Sequence, residues 1–115
     1  MFTAHFEPEP ESAKAVRRFV AETMPGALRL DDIMLVASEL VSNVIRHART
    51  EFEVQLSREN DRIRLEVSDG SSIIPAIDDL DESKHGLRMI EALAQQWGVE
   101  ATETGKIVWV EFADR

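Results

Sequence analysis

Phe52, Val54 and Leu56, followed by Ile63, Leu65 and Val67, place an apolar residue at every second position on either side of Glu59-Asn60-Asp61. Successive side chains of a strand point to opposite faces, so each run has one apolar and one polar side. The three residues between them are turn formers. Residues 51–58 and 62–68 are therefore expected to pair as an antiparallel hairpin. A hairpin with one apolar face needs a cover, and the rest of the chain supplies amphipathic segments to provide it.

Residues 12–24 put Val16, Phe19, Val20 and Met24 on one helical stripe, closed by Pro25-Gly26. Residues 30–49 read as one long helix, with Asp31 and Asp32 near its positive end. Residues 84–97 read as a third helix through Leu87, Ile90, Leu93 and Ala94. A short strand at 2–6 is ended by Pro8 and Pro10, and a last hairpin joins 99–102 to 106–112 around Thr104-Gly105. Residues 69–82 are polar and rich in Gly, Ser, Pro and Asp, a loop. Helices interleaved with hairpins predict an α+β fold, a mixed or antiparallel sheet with three helices packed on one face. Trp97 and Trp109 are expected in its core.

A chain of 115 residues has the length of a single domain. With no cysteine, disulfides and thiolate-ligated metals are excluded. The net charge is −9 with no basic cluster, which argues against nucleic acid or an anionic membrane as a partner. The acidic residues crowd at 7–11 and at 78–82, where solvated loop charge is the simple reading. No apolar run approaches the ~18 residues of a membrane span, and the N-terminus lacks the basic and apolar regions of a signal peptide. A cytoplasmic location fits these features.

The chemistry concentrates in the second helix. Glu39 and Asn43 lie four residues apart, with Arg46 and His47 roughly on the same side, inside a Val/Leu/Ile/Ala-rich segment. Buried without partners, each such group would cost about 1–3 kcal/mol, so the stripe must meet water or a ligand. His47, two turns on, suits a hydrogen bond at the helix end.

Further along come Asp69-Gly70 at a strand end, Pro75 in the loop, His85-Gly86-Leu87 opening a helix, Trp97-Gly98, and Gly105-Lys106-Ile107-Val108-Trp109. With Glu39-Leu40-Val41-x-Asn43 and His47-Ala48, this order resembles the GHKL (Bergerat-fold) ATPases from Phe6 to Phe112. Within them it is most similar to the small anti-sigma-factor serine kinases. The resemblance implies that Asn43 binds Mg²⁺ through its side-chain oxygen and that the metal bridges the phosphates of ATP, which suits a hard cation taking few protein ligands. It implies that Glu39 accepts a proton from an attacking hydroxyl or orients a water. Asp69 matches the aspartate that accepts a hydrogen bond from the adenine amine, and Gly70 leaves room for a flat base. Residues 72–83 take the place of the lid over the phosphates. Gly86 and Leu87 match the helix start whose backbone amides cradle phosphates.

The chain departs from the family pattern at three places. Ser71 stands where a second glycine is usual. Lys84 replaces the first glycine of Gly-x-Gly-Leu, exchanging backbone freedom for a cation beside the phosphates; His85 or Arg88 could add a donor. The family often has a threonine where Ile107 stands, helping to hold a water against adenine.

Two functions follow from the resemblance. One is an ATP- and Mg²⁺-dependent protein serine/threonine kinase that acts as an anti-sigma factor, binding a sigma factor and phosphorylating an anti-sigma antagonist protein. The other is an interaction module that keeps the fold while nucleotide binding has weakened. A homodimer through the sheet edge or first helix is implied as well. The ATPase domain of a two-component histidine kinase would be expected to follow a helical hairpin bearing a phosphoacceptor histidine, which these residues do not hold.

Overall fold

The computed structural model describes residues 1–72 and 88–114. Five strands, β1 (Phe2–Phe6), β2 (Phe52–Glu59), β3 (Arg62–Asp69), β4 (Gln96–Ala101) and β5 (Lys106–Ala113), form one sheet in the order β1-β2-β3-β5-β4. Every neighbouring pair is antiparallel. The α+β architecture is thus as the alternation predicts, and the sheet is purely antiparallel rather than mixed. The central hairpin turns on Asn60 and Asp61, since Glu59 pairs with Arg62, and Asn60 takes the left-handed φ of 56° that asparagine tolerates.

Helices α1 (Pro10–Thr23) and α2 (Leu30–Asn43) pack against each other, and α2 lies across β3. Val16 and Val20 of α1 and Ile33, Val36 and Ala37 of α2 are fully buried against the apolar side of the central hairpin. Residues 88–93 are helical (α3), with Ile90 in the same core. Helix α1 begins two residues earlier than its stripe suggests. Pro10 occupies the first turn, where a missing N–H costs nothing.

Three expectations are corrected. The segment 30–49 is not one α-helix. After Asn43 the chain widens into a π-helical turn, Val44–Ala48, closed by Arg49 N–H donating to the Val44 carbonyl at 2.8 Å, with Arg49 left-handed at φ 55°. The helical segment 84–97 ends early. Gln96 and Trp97 begin β4, because β5 captures their backbone: the Gln95 N–H donates to the Glu111 carbonyl and Gln96 pairs with Glu111. Trp97 then packs against the core, as expected. Trp109 does not. It pairs with Glu66 and Gly98 on the helix-free face, under the Arg64 guanidinium at 4.4 Å from the ring centre.

Two polar anchors tie the helical layer to the sheet. Asp114 Oδ1 accepts the backbone N–H of Leu28 (2.7 Å) and of Arg29 (3.3 Å) at the start of α2, while Arg58 of β2 pairs with its other oxygen. Arg29 in turn donates to Asp32 at 2.6 Å and to the Leu93 carbonyl at 2.9 Å, joining the first turn of α2 to the last turn of α3.

Candidate functional site

The segment that follows α2 and its π turn is tied to the end of β3 by a hydrogen bond. Thr50 accepts the Gly70 N–H on its hydroxyl oxygen at 2.9 Å. That contact fixes the exit of the helical segment against the strand end bearing Asp69. The strand register then lays out a row across the sheet on the helix-facing side: Phe6, Phe52, Asp69, Lys106 and Ala101. Phe6 and Phe52 stack at 5.5 Å. In the middle of this otherwise apolar row sits a buried ion pair. Lys106 Nζ lies 2.9 Å from Asp69 Oδ1, with side-chain exposures of 9% and 2%.

Asp69 is therefore held tightly. Its Oδ1 also accepts the Ser71 N–H at 2.8 Å, so the residue after Asp-Gly holds the carboxylate through its backbone. Gly105 seals the same corner. A Cβ on it would fall 1.9 Å from the Asp69 carbonyl oxygen, so only glycine lets β5 approach this closely. Gly70 is bare for a related reason. A Cβ there would stand 3.3 Å from the Thr50 methyl carbon, so the glycine also lets Thr50 pack closely.

Ile107 does not stand where the family resemblance puts it. It pairs with Ser68 and lies on the opposite face from Asp69. The residue that faces Asp69 is Lys106. Sequence reading missed Lys106, Thr50 and Gly105 as parts of this corner.

On α2, Glu39 and Asn43 are one α-helical turn apart and both half-buried, as the spacing predicts. Glu39 makes no hydrogen bond or ion pair among the described residues and is available to a proton. The Asn43 side-chain oxygen accepts from Arg46 Nη2 at 3.3 Å. Arg46 lies in the π turn that follows, and His47 there is exposed, without the expected helix-end hydrogen bond among the described residues. Among the described residues no three His, Cys, Asp or Glu gather as a metal site. A single amide oxygen completed by phosphates and water is nevertheless a donor set that Mg²⁺ accepts. Lys84, His85, Gly86 and Leu87, the expected phosphate cradle, lie outside the described residues, as does Pro75.

A cleft of about 480 Å³ opens at the same end of the sheet, lined in part by His5, Glu7, Glu51, Glu53, Phe52 and Asp69. It touches the site only at Asp69 and includes neither Glu39 nor Asn43. Its rim is acidic. The Glu7 carboxyl is pushed above its ordinary 4.5 by a hydrogen bond to Glu51 and by that residue's charge. Such a rim is unfavourable to an anion.

The fold is that of a known group. A model of the histidine kinase-like ATPase domain matches residues 6–112. The chain belongs to that family. Among curated proteins a search found no match. Among solved structures the ATPase domain is similar to the histidine kinase domain of a blue-light activated histidine kinase from Erythrobacter litoralis, with a TM-score of 0.60 and 19% identity over 90% of this chain and 60% of that one. It is also similar to the Acinetobacter baumannii histidine kinase AdeS, with a TM-score of 0.61 and 15% identity over all of this chain and 68% of that one. At such identities the likeness is one of fold. The ATPase domain spans less than two thirds of the first of these chains.

Proposed function

We propose that the ATPase domain binds ATP with adenine on Asp69 and the phosphates toward the end of α2, and transfers the γ-phosphoryl group to a serine or threonine hydroxyl of a partner protein. The observation that carries this reading is the buried Asp69 carboxylate, whose strand end is tied through Gly70 and Thr50 to the segment that follows the helix bearing Glu39 and Asn43. Asp69 Oδ2 accepts the exocyclic amine. Asn43, once Arg46 swings from its oxygen to a phosphate, holds Mg²⁺, whose contribution is to neutralise charge between the phosphates. Glu39 takes the hydroxyl proton as the oxygen attacks the γ-phosphorus and the bond to the bridging oxygen of ADP breaks. Lys84, His85, Gly86 and Leu87 are assigned to the phosphates. In the cell this would be a cytoplasmic anti-sigma factor that binds a sigma factor and phosphorylates its protein antagonist.

A second reading rests on two contacts. Arg46 occupies the Asn43 oxygen and Lys106 occupies Asp69 Oδ1, so both key acceptors already have partners within the chain. A protein-interaction module with little affinity for nucleotide would keep such contacts. Thermal melting with ATP and Mg²⁺ separates the two. Micromolar binding at millimolar ATP adds about 4 kcal/mol and raises the Tm by many degrees. An unchanged Tm with and without metal would rule out the kinase. Given a shift, Asn43→Ala is expected to remove its Mg²⁺ dependence, and Glu39→Ala to keep binding while losing phosphotransfer; transfer at the wild-type rate by the latter would remove Glu39 from the chemistry.

A further inference from the structure

We infer that Lys106 reads the base directly: Asp69 and Lys106 together form an acceptor–donor pair matched to the adenine edge, with the Lys106 ammonium donating to ring nitrogen N1. The inference rests on the assignment of adenine to Asp69. It adds a residue to which that assignment gives no part.

Three observations carry it. The first is placement: Asp69 and Lys106 are register partners on the helix-facing side, so their polar heads lie side by side at one end of the sheet. The second is spare capacity. Asp69 Oδ1 holds both Lys106 and the Ser71 N–H, while Oδ2 takes no hydrogen bond among the described residues. An ammonium has three N–H donors, and the pair uses one of the three on Lys106. A flat ligand can therefore give a proton to Oδ2 and accept one from Nζ while the ion pair stays intact. Adenine presents that combination on adjacent atoms, a donor at the exocyclic amine and an acceptor at N1.

The third observation is energetic. The row flanking the pair is Phe6, Phe52 and Ala101, all apolar. A buried ion pair in such a row gains little over apolar side chains of the same volume, because desolvating both charges offsets their attraction. Apolar side chains in place of both residues would serve stability about as well, so stability alone does not account for the pair. Recognition of a ligand does, since a charged donor is stronger than a hydroxyl or a water at the same place.

The test compares ATP with its 1-deaza analogue, in which C–H replaces N1 and the amine is kept. Titration calorimetry in the presence of Mg²⁺ on the wild-type protein is expected to show the analogue binding more weakly by about tenfold or more, the range of a charge-assisted hydrogen bond. Lys106→Met is expected to bind the two ligands alike, with ATP weakened to the level of the analogue. Equal affinity of the wild type for both ligands overturns the inference and leaves the adenine assignment standing. Tighter ATP binding by Lys106→Met also overturns it, since the lysine would then be an obstacle. If ATP itself does not bind, the nucleotide reading falls and this inference with it. The wild-type arm decides the matter even if Lys106→Met, which leaves Asp69 without its cation, fails to fold.

Discussion

At Gly105 two strands come so close that a single methyl group has nowhere to go. Gly105→Ala is expected to lower stability by about 2–3 kcal/mol through forced separation of β3 and β5, read as a fall in Tm. It should also weaken nucleotide binding, because the displaced strand carries Lys106. Asp69→Asn tests the same corner differently. It keeps the shape, leaves an uncompensated ammonium, and should cost stability as well as base affinity. The parity of β5 made the neighbouring lysine readable from the sequence. Val108, Val110 and Phe112 are its core-facing residues, and Lys106 is the fourth member of that set. Following the motif rather than the alternation pointed to Ile107 instead. Asp69 was legible because a strand end followed by glycine is visible in the sequence. That this lysine pairs with Asp69 was not legible, because the pairing depends on the register of a strand 37 residues away.

The element that most affects the site is the wide turn after Asn43. A π turn commonly marks a functional position in a helix, and here it holds the Arg46 that contacts Asn43 and ends in a left-handed arginine. Nothing in Val44-Ile45-Arg46-His47-Ala48 forbids an ordinary α-helix, which is why 30–49 reads as continuous. The closing residue of the turn gives a prediction: Arg49→Gly should hold or raise stability, since glycine meets no Cβ penalty at φ 55°. Arg49→Val should lower it, because a β-branched side chain fits the left-handed region worse than the arginine that already occupies it. Urea unfolding of the three proteins gives the order. The Glu39–Asn43 spacing survived because both residues precede the π turn. The segment 84–97 failed as a continuous helix because Trp97 satisfies a helical and a strand period at once, and only pairing with β5 decides between them.

At the scale of the molecule, the C-terminal end holds the layers together. Burial works to raise the Asp114 carboxyl, but the backbone N–H of Arg29, the Arg58 guanidinium and the backbone N–H of Leu28 outweigh it and hold the group below its ordinary 3.8. A depressed carboxyl stabilises the fold above its unfolded pKa, and that contribution disappears as pH falls through the folded value. Asp114→Asn should therefore be less stable than wild type at neutral pH by about 1–2 kcal/mol, with the two converging in acid below the usual carboxylate range. Denaturant midpoints measured from pH 7 to pH 3 would show it; parallel curves would remove Asp114 as the source. The sheet order has a further consequence. Hairpins β2–β3 and β4–β5 are each local in sequence, and only the antiparallel seam of β3 with β5 joins them. The Asp69–Lys106 pair lies at one end of that seam, so a ligand gripping both residues would clasp the two halves of the chain like a zipper pull. Amide exchange along β3 and β5 should slow when nucleotide is added, while the Asn60 turn keeps its own rate.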